Sequence, residues 1–217
     1  RLVGPEILDY ARRDAETIYA GKAPGQHSHS QMEINALLAH HAGAGKHVVR
    51  LKGGDPFIFG RGGEERRYLI ERGIQVDIVP GITAAAGCAA EAGIPLTHRG
   101  TAQSVTYLTG TSNGDIPDYD WQALAKLAGT LVFYMGVSTA ADIAARFTEN
   151  GLAPETPVAV IENGTRATQR TITGTIGTLG ALIRDNRIQN PALLVIGDVV
   201  AEANAASDVG TALAIAS

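Results

Sequence analysis

The chain has 217 residues, of which 45% are hydrophobic and 18% are charged, and its formal net charge is −4. This composition is typical of a globular protein with a substantial core, and it argues against a general nucleic-acid binder, so an anionic ligand must be held by a local group of cations. No apolar run reaches the roughly 18 residues that a membrane span needs, no signal peptide is visible, and a single cysteine, Cys88, suits a reducing compartment.

Short β-rich runs alternate with helical stretches along the chain, which predicts an α/β fold. The predicted strands are "TIYAG", "HVVRL", "IQVDIV", "SVTYLTG", "TLVFYMG", "VAVIENG" and "ALLVIGDVV". One helix is predicted to begin at Ser30, whose spacing to Glu33 fits a capping box, and another to run from near Gly62 to Gly73. The run "QRTITGTI" follows "VAVIENG" after a short turn, which predicts an antiparallel pair of strands. Cys88 lies in an apolar stretch and is predicted to be a small core residue.

The segment 93–103, "GIPLTHRGTAQ", interrupts this alternation with Pro95 and a polar stretch, and it is the predicted domain boundary. We therefore expect two α/β domains, over residues 1–100 and 101–217, with a cleft between them. The first sheet is expected to be mainly parallel and the second to be mixed. Ligands of such folds bind beyond the C-terminal ends of strands, so the loops that follow the strands are the candidate sites.

Residues 48–65, "VVRLKGGDPFIFGRGGEE", place glycines and an aspartate directly after a predicted strand. Gly53 and Gly54 would let a ligand touch the main chain, whose N–H and C=O groups can bind a polar, nucleoside-like molecule. The alternative is a tight strand-to-helix turn. The nearby "HAGAGKHVV" does not fit a phosphate loop, and His27 and His29 have no further ligands at metal-site spacing, so no metal is predicted.

The same stretch resembles the signature of the uroporphyrinogen-III C-methyltransferases of the tetrapyrrole methylase family. The resemblance continues through "VPGITAAAGCAAEAGIPLTHR", "TLVFYMG", "VAVIENGT" and "PALLVIGDVV" and spans most of residues 1–200. It implies transfer of two methyl groups from S-adenosyl-L-methionine to uroporphyrinogen III, giving S-adenosyl-L-homocysteine and precorrin-2, for sirohaem or cobalamin synthesis. It also implies a cytoplasmic homodimer that acts on a small-molecule tetrapyrrole.

The resemblance assigns individual residues to the site. The residues implied to line the cofactor are Gly53, Gly54, Asp55, Ile58, Thr83, Ala84, Met135 and Gly164. Lys22 of "YAGKAPGQH" matches the position of the family's catalytic proton donor. The substrate carries carboxylates, and the cations predicted to bind them are His98, Arg99, Arg50 and Arg61. The alternative for Arg50 and Arg61 is a structural ion pair with Glu64 or Glu65.

Family members open with a strand and a "GxGPGD"-like loop, followed by a proton-accepting acid immediately before the position of Arg1. Neither feature is in the present sequence, so we expect methyl transfer to require an upstream segment. Two alternatives stay open at this point. One is a non-catalytic fragment or regulatory module that binds a tetrapyrrole or an adenosyl group, and the other is a different precorrin methyltransferase.

Overall fold

The computed structural model describes residues 2–21, 29–112 and 114–203. Its contacts divide the chain into two compact units, Arg1–Thr83 and Ala84–Ser217. This division falls before the predicted boundary at residue 100, because Ala89 and Ile94 are buried in the core of the second unit.

The first unit is built from helices and extended segments. A 3₁₀ helix covers Pro5–Tyr10, and two α-helices cover Gln31–Gly43 (α1) and Gly62–Ile70 (α2). The capping box predicted at the start of α1 is confirmed, since the Ser30 hydroxyl accepts a hydrogen bond from the Glu33 main chain and the Glu33 carboxylate accepts one from the Ser30 main chain. Helix α2 begins where it was predicted and ends three residues before Gly73.

Three predicted strands of the first unit are wrong. The runs "TIYAG", "HVVRL" and "IQVDIV" lie outside regular strands in the described part of this unit. A strand exists only where a neighbouring strand completes its ladder of hydrogen bonds, and an alternating sequence does not encode that neighbour. The expected mainly parallel first sheet is therefore absent from the described residues.

The second unit contains a five-stranded mixed sheet, which confirms the α/β class. Its strands cover Val105–Thr109 (β1), Thr130–Tyr134 (β2), Pro157–Glu162 (β3), Arg170–Thr175 (β4) and Ala192–Ile196 (β5). Their order across the sheet is β1-β2-β5-β3-β4, and β1 and β2 are parallel while the other neighbours are antiparallel. The predicted antiparallel pair of β3 and β4 is confirmed.

Helices cover both faces of this sheet. They span Ala84–Glu91 (α3), Trp121–Ala125 (α4), Ala140–Glu149 (α5) and Leu179–Asp185 (α6). Because successive strand residues face opposite sides, Phe133 of β2 packs with Trp121 and Phe147 on one face, while its neighbour Val132 lies in the cluster that contains Cys88 on the other. Cys88 is buried, as predicted for a core residue.

Candidate functional site

In the first unit, residues 53–62 form a compact turn around Asp55. One carboxylate oxygen of Asp55 accepts a hydrogen bond from the Phe57 main-chain N–H at 2.8 Å, and the other accepts one from the Gly81 N–H at 3.1 Å. These bonds, the one from Gly81 foremost, hold the pKa of the Asp55 carboxyl below its usual range. The stabilisation they give is therefore present above the ordinary aspartate pKa and is lost as the pH falls through the lowered value.

Close backbone packing explains the glycines of this turn. Gly54 has φ 82°, a left-handed conformation that costs other residues about 1–2 kcal/mol. A Cβ on Gly81 would lie 2.5 Å from the Gly54 carbonyl oxygen, and one on Gly62 would lie 2.5 Å from the Pro56 carbonyl oxygen. These glycines therefore do form a tight turn, as the alternative interpretation predicted. The turn also leaves main-chain N–H and C=O groups available to a ligand, because Gly53 and Gly54 make no main-chain hydrogen bond within the described residues.

Two further residues of this unit, Ile58 and Thr83, were predicted to line the cofactor. Ile58 lies within the turn, and Thr83 follows Gly81, which donates a hydrogen bond to Asp55. Ile58 is half-buried, and its N–H donates to the Asp55 carbonyl at 3.4 Å. Thr83 is half-buried and follows Gly81 by two residues, so the Asp55 carboxylate fixes the segment that carries it.

In the second unit, the sheet register places Met135 and Gly164 at one edge. Tyr134 of β2 and Ile161 of β3 both pair with Leu193 of β5 in antiparallel fashion. Strands β2 and β3 therefore run parallel to each other and end at the same edge, with β5 between them. Two inter-strand spacings, about 10 Å, separate the two strand ends.

Met135 adopts a left-handed backbone conformation, with φ 55°, at the end of β2. Such strain in a non-glycine residue costs free energy and is concentrated at functional sites. Two hydrogen bonds and close packing stabilise this bend. The Gly110 N–H donates to the Tyr134 carbonyl at 2.6 Å, and the Thr139 hydroxyl donates to the Gly110 carbonyl at 2.8 Å. A Cβ on Gly110 would overlap the Gly136 backbone. The Met135 side chain is exposed, and its main chain makes no hydrogen bond in the described part of the chain.

Gly164 sits in a turn that only a glycine fits. Its neighbours Asn163 and Thr165 have φ values of 51° and 63°. A Cβ on Gly164 would lie 2.8 Å from the Cβ of Cys88 in helix α3 and would overlap the Cys88 sulfur. The turn therefore packs directly on α3. As with Met135, the main chain of Gly164 makes no hydrogen bond among the residues that the structure describes.

Helix α3 connects these elements. It begins at Ala84, and the N–H of the next residue, Ala85, donates to the Tyr134 hydroxyl at 2.9 Å. Through its Ala85 and Cys88, helix α3 thus connects the segments that carry three residues predicted to contact the cofactor, namely Ala84, Met135 and Gly164. We call these three residues the strand-end cluster.

A buried carboxylate that the sequence reasoning missed holds the end of β3. Glu162 is 6% exposed, accepts a hydrogen bond from the Arg170 side chain at 2.6 Å and accepts another from the Gln189 main chain at 2.7 Å. Arg170 is the directly paired residue on β4, so the cross-strand pairing is the signal that could have found this contact.

Two of the predicted substrate cations form ion pairs in the first unit. Arg50 contacts the buried Glu65 at 3.3 Å, and Arg61 contacts the exposed Glu64 at 2.8 Å. Lys52 also contacts Glu65, at 3.1 Å. Both arginines therefore make the contacts of the structural alternative, and their role toward a substrate stays a prediction.

The other two predicted cations lie on a tight turn of the second unit. His98 and Ala102 exchange two main-chain hydrogen bonds of 2.9 Å, which place Arg99 at the exposed tip. Arg99 makes no ion pair within the described ranges. An open depression of about 360 Å³ is lined by Thr97, His98, Arg99, Ala102 and Gln103.

Glu202, from the helical turn at 199–203, supports this turn and was missed from the sequence. It accepts a hydrogen bond from the Thr101 hydroxyl at 2.9 Å and lies 3.5 Å from the His98 ring nitrogen Nδ1. No local pattern signals a contact between residues 101 positions apart.

Lys22 and His27 lie outside the described residues. Within the residues that are described, no group of three or more His, Cys, Asp or Glu side chains could hold a metal ion. None of the helices described here is long and apolar enough to cross a membrane.

Comparison with known proteins connects this geometry to a family. Residues 1–180 match the family "Tetrapyrrole (Corrin/Porphyrin) Methylases". The chain is 53% identical over 200 residues to the siroheme synthase of Chromobacterium violaceum, covering 92% of this chain and 43% of that protein. The chain therefore spans less than half the length of the curated relatives it matches.

Solved structures give the same connection. The native form of uroporphyrin III C-methyltransferase from Thermus thermophilus matches with a TM-score of 0.75 and 36% identity, covering 92% of this chain and 84% of that one. A complex of the Thermus thermophilus enzyme with S-adenyl homocysteine matches with a TM-score of 0.68 and 36% identity, covering 82% of this chain and 79% of that one.

Proposed function

The chain belongs to the tetrapyrrole (corrin/porphyrin) methylase family, and we propose that it methylates uroporphyrinogen III at two carbon atoms with S-adenosylmethionine to give precorrin-2. The product would enter sirohaem or cobalamin synthesis. The observation that carries the proposal is the family match over residues 1–180, and the complex of the Thermus thermophilus relative with S-adenyl homocysteine supports the choice of methyl donor.

The residues present fit a nucleoside-like cofactor. The glycine turn at Gly53 and Gly54 offers main-chain N–H and C=O groups that no other described residue occupies, and so do Met135 and Gly164. Such groups can bind the polar atoms of an adenosyl and an amino-acid moiety. Gly53, Gly54, Met135 and Gly164 are therefore proposed to contact the cofactor.

When bound, S-adenosylmethionine supplies a methyl group on a sulfonium, so the chain's own contribution is binding, orientation and proton handling. Asp55 holds the glycine turn in place through the main-chain bonds from Gly81 and Phe57, which assigns it a positioning role. Methylation of a pyrrole carbon requires proton transfers, and Lys22 is proposed as the proton donor.

Two further features belong to the same proposal. The protein is proposed to act in the cytoplasm, which its single, buried cysteine supports, and to act as a homodimer, as the family resemblance implies. Light scattering coupled to size-exclusion chromatography would measure the mass, and a monomer at working concentration would contradict the dimer.

Calorimetry with S-adenosylhomocysteine tests the proposed site. We expect saturable binding that S-adenosylmethionine competes with, because the two molecules share the adenosyl and amino-acid groups. Absence of binding by the folded protein would contradict the proposed function.

Arg99→Ala is expected to raise the KM for uroporphyrinogen III about tenfold and to leave the Kd for S-adenosylhomocysteine unchanged. A charge-assisted contact with a substrate carboxylate contributes about 1.5–3 kcal/mol, and an exposed position favours the lower end of that range. Steady-state kinetics and calorimetry on the same preparation measure the two effects.

Arg184→Ala is the matched control for Arg99→Ala. Arg184 is an exposed cation of the same unit that pairs with Asp185 on the surface, so its loss should change neither constant. Equal KM changes in both variants would mean that general charge, and not the Arg99 contact, governs substrate affinity.

A further inference from the structure

We propose that Tyr134 is a positioning residue for the cofactor, because its hydroxyl holds the first turn of helix α3 against the end of strand β2. The inference rests on the proposed function and deepens it, since it names the side chain that shapes the strand-end cluster. Tyr134 was not predicted to belong to the site.

The hydrogen bond that carries this proposal joins two protected positions. The Ala85 N–H donates to the Tyr134 hydroxyl at 2.9 Å, and Ala85 is fully buried. The first N–H groups of a helix have no partner within the helix, and at a buried position water cannot replace one. The Tyr134 hydroxyl therefore satisfies a donor that would otherwise stay unpaired.

The bond acts on residues that are adjacent in the chain to both of its ends. Ala84 precedes Ala85, and Met135 follows Tyr134. Helix α3 also packs its Cys88 side chain against Gly164, where there is no space for even one more carbon. A change in the seating of α3 is thus transmitted to all three residues of the strand-end cluster, since close-packed interiors transmit strain.

The Tyr134 ring has a second support that does not depend on its hydroxyl. It packs edge-to-face on Tyr107, with ring centroids 6.0 Å apart. Tyr134→Phe should therefore keep the ring in place and remove the hydroxyl that accepts the Ala85 N–H. The Tyr107 hydroxyl makes no hydrogen bond within the described residues, so Tyr107→Phe removes a hydroxyl from the same ring pair without removing an anchor.

Thr130→Val provides a control for lost stability. The Thr130 hydroxyl donates to the Leu96 carbonyl at 2.7 Å, and Thr130 is 1% exposed at the opposite end of the same strand. Loss of the Thr130 hydroxyl removes a buried hydrogen bond between a side chain and the main chain, as Tyr134→Phe does, but about 13 Å from Tyr134. This variant should melt at a lower temperature than the wild type and bind the cofactor product normally.

Calorimetric titration with S-adenosylhomocysteine, with circular dichroism to establish folding, tests the proposal on these variants. Tyr134→Phe should raise the Kd about tenfold and raise the KM for S-adenosylmethionine, with no change in the KM for uroporphyrinogen III. The Kd of Tyr107→Phe and of Thr130→Val for S-adenosylhomocysteine should differ from the wild-type Kd by no more than about twofold. Such a difference is easily distinguished from a tenfold change.

The outcomes separate the two proposals. If the wild type binds and folded Tyr134→Phe binds equally well, the positioning role of Tyr134 is overturned and the proposed function stands. The role is also overturned if Thr130→Val weakens binding as much as Tyr134→Phe, because lost stability alone would then explain the effect. If the wild type itself does not bind S-adenosylhomocysteine, both the proposed function and the positioning role of Tyr134 are overturned.

Discussion

Glu65→Ala is expected to lower the free energy of unfolding by about 3 kcal/mol, although Glu65 is not a predicted site residue. Glu65 is 5% exposed, and its carboxylate contacts Arg50, Lys52 and Gln31. Removing one partner of a buried ion pair leaves charge without compensation, which costs about 3–5 kcal/mol, and the partly exposed Arg50 favours the lower end. Urea denaturation followed by circular dichroism measures the change.

Glu64→Ala is the matched control in the adjacent position. The Arg61–Glu64 pair is more than half exposed on both sides, so its loss should stay within about 0.5 kcal/mol. If the two variants are equally stable, the Glu65 carboxylate is not buried in the way described here.

Gly164→Ala is expected to weaken S-adenosylhomocysteine binding about a hundredfold. The added methyl group would lie 2.8 Å from the Cβ of Cys88, and Cys88 is a buried residue of helix α3. Overpacking of this kind costs about 1–3 kcal/mol, and the turn at 163–165 can relieve it only by moving. Calorimetry on the folded variant measures the loss of affinity.

Gly43→Ala introduces the same methyl group at a position with free space. A Cβ on Gly43 would meet nothing within 4 Å, and Gly43 lies in helix α1, where alanine is favoured over glycine. This variant should bind normally and be as stable as the wild type or slightly more stable. Normal binding by Gly164→Ala would remove Gly164 from the proposed site.

The parts of the fold that sequence predicted correctly depend on local interactions. The capping box at Ser30 and Glu33 is formed within four residues, and the antiparallel pair of β3 and β4 is joined by a short connection. Runs such as "HVVRL" failed as strands because their alternation describes faces that a sheet could bury, whereas a ladder needs a partner from elsewhere in the chain.

The candidate site also contains residues that a local motif indicates and residues whose contacts come from distant parts of the sequence. Gly53, Gly54 and the left-handed Met135 lie in motifs that resemble the family, so the sequence alone could propose them as contacts of the cofactor. The Tyr134 hydroxyl and Glu202 could not be found in this way, because their partners Ala85 and Thr101 are distant in sequence.

Glu65 is an intermediate case. It reads as one of several solvent-facing charges in "GGEERR", but it lies four residues before the buried Leu69 on helix α2. Residues four apart share a helix face, so this spacing was a usable signal of burial. What the spacing could not supply was the pair of cations, Arg50 and Lys52, that make a buried carboxylate tolerable.

The most direct test of the proposed function uses the protein together with the upstream segment that methyl transfer is expected to require. It is incubated with uroporphyrinogen III and S-adenosylmethionine labelled in its methyl group, and the tetrapyrrole is then measured by mass spectrometry. We expect two labelled methyl groups on each product molecule and two molecules of S-adenosylhomocysteine for each precorrin-2 formed. A protein that binds S-adenosylhomocysteine but leaves uroporphyrinogen III unlabelled, under conditions in which a known uroporphyrinogen-III methyltransferase labels it, would contradict the proposed function.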